Sequence, residues 1–80
     1  MHTDVRIDVA IDEDETNTLA HAVLHLRGDH FEATGRARRN PDDVSMPLIG
    51  EELALARALA SLQAGVMEAA QEKIERFLAV

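Results

Sequence analysis

This 80-residue sequence predicts an α+β fold, a three-stranded antiparallel sheet followed by one long C-terminal helix. Three observations carry that reading. The segment "DVRIDVAID", residues 4–12, alternates apolar and polar side chains, which is the period of a strand with one buried face. Two further alternations follow, separated only by a glycine-containing turn. From about Leu48 the apolar period changes from two to that of a helix. The order is β-β-β-α in a single domain over residues 1–80, with no internal repeat or linker.

In the first strand Val5, Ile7, Val9 and Ile11 share one face, expected to be half-buried, while Asp4, Arg6, Asp8, Ala10 and Asp12 face water. "DEDETN" then reads as a solvated turn; it lacks the regular oxygen-ligand spacing and bend glycine of a calcium loop. The second alternation points Ala20, Ala22, Leu24 and Leu26 inward and Leu19, His21, Val23, His25 and Arg27 outward. In the third, Phe31, Ala33, Gly35 and Ala37 face inward and His30, Glu32, Thr34, Arg36 and Arg38 outward. Gly28-Asp29 is the expected two-residue hairpin loop, because glycine tolerates positive φ. That register sets Leu26 against Phe31, Leu24 against Ala33, His21 against Arg36 and His25 against Glu32, and a tight first turn brings Arg6 beside His25.

"NPDDVSMP" ends the sheet, since Pro41 and Pro47 cannot donate to a ladder. The helix that follows is expected to carry Glu51 and Glu52 in its first turn and an apolar stripe of Leu55, Leu59, Leu62 and Val66. Unbroken to Leu78 it would run roughly 45 Å, against about 33 Å for a ten-residue strand. Its second half, with Met67, Ile74, Phe77 and Leu78, should therefore overhang the sheet and need cover. Either the helix bends at Gly65 and packs back, or two chains share these segments; the homodimer is the preferred reading.

Composition narrows the function. The chain has no cysteine, so disulfides, thiolate chemistry and Cys-based zinc sites are excluded. A net charge of −7 with a single lysine, Lys73, repels phosphate polymers and disfavours RNA as a partner. Both aromatics, Phe31 and Phe77, fall on apolar faces, leaving no stacking platform for bases. The acidic first residues and the lack of a long apolar run lead to an expected cytoplasmic location without membrane contact. His21 and His25 stand four apart, a chelating spacing on a helix but about 13 Å on a strand, so no metal or other cofactor is expected. Ser45 and Ser61 sit in no nucleophile elbow, and the chain reads as non-enzymatic.

Against this acidic background "ATGRARRN", residues 33–40, gathers three arginines. Arg36 and Arg38 belong to the outer face and Arg39 to the inner side at the strand end. With His21 and His25 they form the candidate contact surface, for a protein partner first and for a ribosome or RNA second. An enzyme acting on a small anion would need a deep pocket lined by His21, His25 and Arg36.

The segment "NPDDVSMPLIGEELALARALASL", from Asn40-Pro41 to Leu62, resembles the signature of a small actinobacterial family, domain of unknown function 1876, whose fold is likened to double-stranded-RNA-binding domains. The resemblance rests above all on Pro47, Ile49, Gly50, Glu51, Glu52, Leu53, Ala56, Arg57, Ala58 and Leu59, and extends over roughly residues 5 to 64. It implies three antiparallel strands, a long helix and homodimers, and for some mycobacterial members a link to hypoxia or dormancy and a shape similar to ribosome hibernation factors. It implies no activity. Glu51 and Glu52 stand where double-stranded-RNA domains place lysines, which argues against transfer of RNA binding. The motif residues are expected to be structural, with Arg57 pairing a carboxylate one turn back or Asp42 or Asp43 in the loop, and the glycine and alanines allowing close approach of helix and loop.

The expected function is thus that of a small homodimeric protein, stress- or dormancy-associated, working by protein contact through its polar sheet face. The alternative is a ribosome- or RNA-associated factor using Arg36, Arg38 and Arg39.

Overall fold

The computed structural model describes residues 1–39 and 47–78 and has the expected order: β1 (Ile7–Glu13), β2 (Asn17–Leu26), β3 (Asp29–Arg38) and α1 (Pro47–Leu78). The strands form an antiparallel meander in the order β1-β2-β3. Asn40, Pro41, Asp42 and Asp43 lie outside the described residues.

The β1–β2 turn is organised by one carboxylate. Asp14 Oδ1 accepts the backbone N–H groups of Thr16 at 2.9 Å and Asn17 at 2.7 Å, and Asp14 N–H donates to the Asn17 carbonyl at 2.9 Å. These backbone donors hold the Asp14 carboxyl below its usual range, with a smaller contribution from nearby Arg36. The ladder begins at Ile7 opposite Leu24, one step short of Arg6 and His25.

At the second hairpin the structure corrects the sequence reading. The turn is Arg27-Gly28, both with positive φ (47° and 88°), in place of Gly28-Asp29. The register is Leu24 opposite Phe31, Ala22 opposite Ala33, His21 opposite Thr34, Val23 opposite Glu32 and His25 opposite His30. The shift is two residues along β3, so every side chain keeps its expected face while every partner changes.

α1 is one continuous helix of 32 residues, about 48 Å at 1.5 Å per residue, without a break at Gly65. Pro47 opens it, a position where its missing N–H costs nothing. Glu51 and Glu52 therefore fall in the second turn, and no acidic side chain lies in the first. The buried line is Ala54, Ala58 and Leu62, one residue off the expected stripe at its start. Leu55 and Val66 flank it half-buried, and Leu59 is 37% exposed.

The reason is Gly35. A Cβ built there would stand 2.1 Å from the Ala54 carbonyl oxygen and 2.3 Å from the Ala58 nitrogen, so helix backbone lies directly on strand backbone. Only alanines fit at that crossing. The core of Ala20, Ala22, Leu24, Ala37, Ala54, Ala58 and Leu62 is consequently thin, with Phe31, Ala33 and Val66 at its margin. A second close approach lies at Gly50, where a Cβ would come within 3.0 Å of Thr18 Oγ1.

Two polar contacts fix the helix lengthwise along β3. Arg57 Nη1 donates to the Arg36 carbonyl at 2.7 Å, a strand contact that the spacing did not announce, while Asp42 and Asp43, its expected partners in the loop, lie outside the described residues. Further along, Lys73 pairs with Asp29 at the hairpin tip. The helix thus stays beside β3 as far as Lys73, and only its last turns, with Ile74, Phe77 and Leu78 at 55, 69 and 75% exposure, run past the sheet.

β1 departs most from expectation. Ile7, Val9 and Ile11 share the helix side of the sheet with Leu24, Ala22 and Ala20, yet they are 45, 37 and 41% exposed, because α1 covers β2 and β3 and leaves β1 open.

Candidate functional site

The five sequence-derived contact residues spread along the sheet from the β1–β2 turn toward the second hairpin. Arg36 and Arg38 project from the outer face near the β1–β2 turn, opposite Leu19 and Asn17. Arg39 follows β3, half-buried, its N–H donating to the Thr16 carbonyl at 2.8 Å. On β2, His21 lies mid-strand, diagonal to Arg36, and His25 lies toward the other hairpin. From Arg38 to the His30 opposite His25 is eight positions along β3, roughly 26 Å.

The arginine end is not a free cationic patch. Glu13, Asp14, Arg38 and Arg39 border one concavity between the β1–β2 turn and the start of α1, with Glu15 beside them. Among the described residues three carboxylates therefore face the two guanidinium groups of Arg38 and Arg39 in this corner of the molecule, and a phosphate backbone would meet both signs at once. That concavity excludes His21, His25 and Arg36, which stand on an open sheet face.

The histidine end forms a connected network that includes three residues outside the sequence-derived set, His30, Glu32 and Thr34. Glu32 bridges two rings: Oε1 lies 3.1 Å from His21 Nε2 and Oε2 3.2 Å from His30 Nε2. His21 Nδ1 also meets Thr34 Oγ1 at 3.2 Å. His30 Nδ1 lies 3.3 Å from His25 Nδ1, with ring centroids 4.5 Å apart and planes inclined by 57°. Hydrogen bonds from His30 and then His21 hold the Glu32 carboxyl below its usual range. The side chains of His21, His30 and Glu32 are about half exposed. His30 escaped sequence reasoning because Gly28-Asp29 as the loop places it beyond reach of His25. The signal that finds it is the Arg27-Gly28 turn, with glycine second as type I′ geometry prefers.

The motif residues act mainly in packing. Gly50 and Ala58 sit at close contacts, Arg57 ties helix to strand, Ala56 is exposed, and Ile49, Leu53 and Leu59 are 50, 44 and 37% exposed. Among the described residues no group of three or more His, Cys, Asp or Glu side chains converges in a form that could hold a metal ion. No helix among them is long and apolar enough to cross a membrane.

Comparison with known proteins gives a consistent result. The chain is 41% identical over 69 residues to the uncharacterized protein Mb1767 of Mycobacterium bovis, covering 86% of this chain and 73% of that one. It is 44% identical over 57 residues to the uncharacterized protein Rv2632c of Mycobacterium tuberculosis, covering 71% of this chain and 61% of the other. The crystal structure of Rv2632c matches with a TM-score of 0.88 at 36% identity, over 95% of this chain and 90% of that one. Neither relative comes with an assigned reaction. With the Rv2632c-like family model matching residues 3–79, the chain belongs to the Rv2632c-like family.

Proposed function

We propose that this chain is a non-enzymatic homodimer, closed through the open apolar side of β1, that presents its polar sheet face to a protein partner. The observation that carries the dimer is the row Ile7, Val9 and Ile11, exposed on the helix side of the sheet. Beside it runs an apolar flank of the helix. Leu55, Leu59 and Val66 lie on the side of α1 away from Arg57, which reaches β3, so their flank is turned toward β1. Floor and wall together make an apolar trough.

Size supports a second copy as the occupant. The chain exposes 6397 Å², about 1,600 Å² more than the roughly 4,800 Å² of a compact monomer of 8.8 kDa. Its radius of gyration is 16.3 Å, against about 12 Å for a compact domain of this length. A standard interface removes only about 800 Å² from each partner. Twofold pairing, the commonest symmetry, lets each trough receive the other's apolar flank.

The outer face then carries the partner contact. Its histidine network and its balanced arginine corner suit a protein surface with both charge signs better than a polyanion. A cytoplasmic setting belongs to this reading through the acidic first residues and the lack of a long apolar run, and a role under stress or dormancy through the family likeness alone.

Sedimentation equilibrium tests the dimer, with twice 8.8 kDa expected and the single-chain mass at high protein concentration refuting it. A pull-down from stationary-phase lysate at low and moderate salt tests the partner class. Capture of a protein that withstands moderate salt supports the proposal. Capture of ribosomal subunits that weakens steeply with salt and vanishes in an Arg36→Ala, Arg38→Ala, Arg39→Ala variant would favour the ribosome or RNA reading instead.

A further inference from the structure

We propose that His25 and His30 form a binding site for a divalent transition metal ion of the zinc, nickel or copper class, with Glu32 orienting one ligand. His21 and His25, four apart on β2, are not a chelating pair, but the observed register puts His30 directly opposite His25 on the solvent side of the sheet. Their Nδ1 atoms are 3.3 Å apart. Two nitrogens held about 2.0–2.1 Å from one ion at a tetrahedral angle stand about 3.3 Å from each other, so the spacing already matches shared coordination.

Glu32 supplies an independent observation. Its Oε2 lies 3.2 Å from His30 Nε2 on the far side of that ring. The carboxylate accepts a hydrogen bond from Nε2–H, so neutral His30 keeps its proton there and presents the Nδ1 lone pair to His25. A carboxylate behind the imidazole is the arrangement that fixes tautomer and ring orientation in metal-ligating histidines. Without metal, His25 Nδ1–H donates to His30 Nδ1; on binding, His25 shifts its proton to Nε2 and the ion takes the place of the shared hydrogen. His25 stays neutral, so no net charge has to be removed.

Two imidazoles leave the remaining positions to water or to a donor from a bound partner, as in an open site. Nitrogen ligands select zinc, nickel and copper over magnesium or calcium. Exposure of the pair gives the ion direct access from solvent.

The test is calorimetric titration of the full chain, free of any histidine tag, with zinc chloride and separately with nickel chloride at neutral pH. One ion per chain is expected. His25→Ala and His30→Ala should each weaken binding at least about tenfold and Glu32→Gln by about tenfold, whereas His21→Ala and His2→Ala should leave it unchanged. Because the altered side chains are exposed, circular dichroism should show every variant folded. The imidazole nitrogen shifts of the wild type should report His30 protonated on Nε2 before metal and both Nδ1 atoms perturbed after it. Absence of saturable binding, or binding that survives both His25→Ala and His30→Ala, would overturn the site.

Discussion

β1 and β3 are the two edges of one small sheet, and both carry alternating patterns, yet they meet different fates. β3 lies under the helix so tightly that Gly35 admits no Cβ, while Ile7, Val9 and Ile11 on β1 remain about two-fifths exposed on the same side. Alternation therefore fixes which way a side chain points and not whether anything lies above it. What decides cover is where the helix can sit, and the small residues Gly35, Ala54 and Ala58 draw it to β3.

The sharpest way to break this asymmetry is Gly35→Ala. The new methyl would collide with helix backbone that has no rotamer to yield, and the cost should be about 3 kcal/mol or more, read as a loss of urea midpoint. Leu62→Ala, which removes the one large residue in the helix's buried line, should cost about 2–3 kcal/mol by the same measurement. On the open side, Ile7→Asp with Val9→Asp should convert the proposed dimer to single chains in sedimentation while β2, β3 and α1 keep their circular dichroism. A variant that stays dimeric would remove β1 from the interface. Arg57→Ala loses the bond to the Arg36 carbonyl and should cost about 1 kcal/mol.

The smallest effect is in acid. The folded Glu32 carboxyl titrates below its ordinary value of 4.5, because His30 and then His21 stabilise the charged form. Its contribution to stability is present above 4.5 and is lost as pH falls through the depressed folded value. A Glu32→Gln variant should lack this component, giving a shallower fall in thermal midpoint than wild type over the same range.

The sequence made the faces legible and left the partners obscure. Ala20, Ala22 and Leu24 point inward and His21, His25, Glu32 and Arg36 outward as their spacing predicts, because period two survives any even shift. The turn was the weak link. Choosing Arg27-Gly28 over Gly28-Asp29 depends on whether arginine accepts positive φ, and a local rule penalises that. The ladder as a whole outweighs the local cost. That two-residue difference hid the meeting of His25 and His30, on which the proposed metal site depends. The helix stripe was misread for a related reason: large leucines attract attention as core, whereas the crossing at Gly35 accepts only alanine. Arg36, Arg38 and Arg39 looked like a cationic cluster in one dimension, and the β1–β2 turn brings carboxylates beside them in three.

The meander also governs how the chain reaches this state. Each element rests chiefly on its predecessor in the sequence, with β2–β3 closed by a two-residue turn and α1 settling on β3. Short loop closures of this kind carry little entropic penalty, and folding should be complete on the order of milliseconds. A nascent chain would thus bring β2 and β3 together before the helix that covers them has been made.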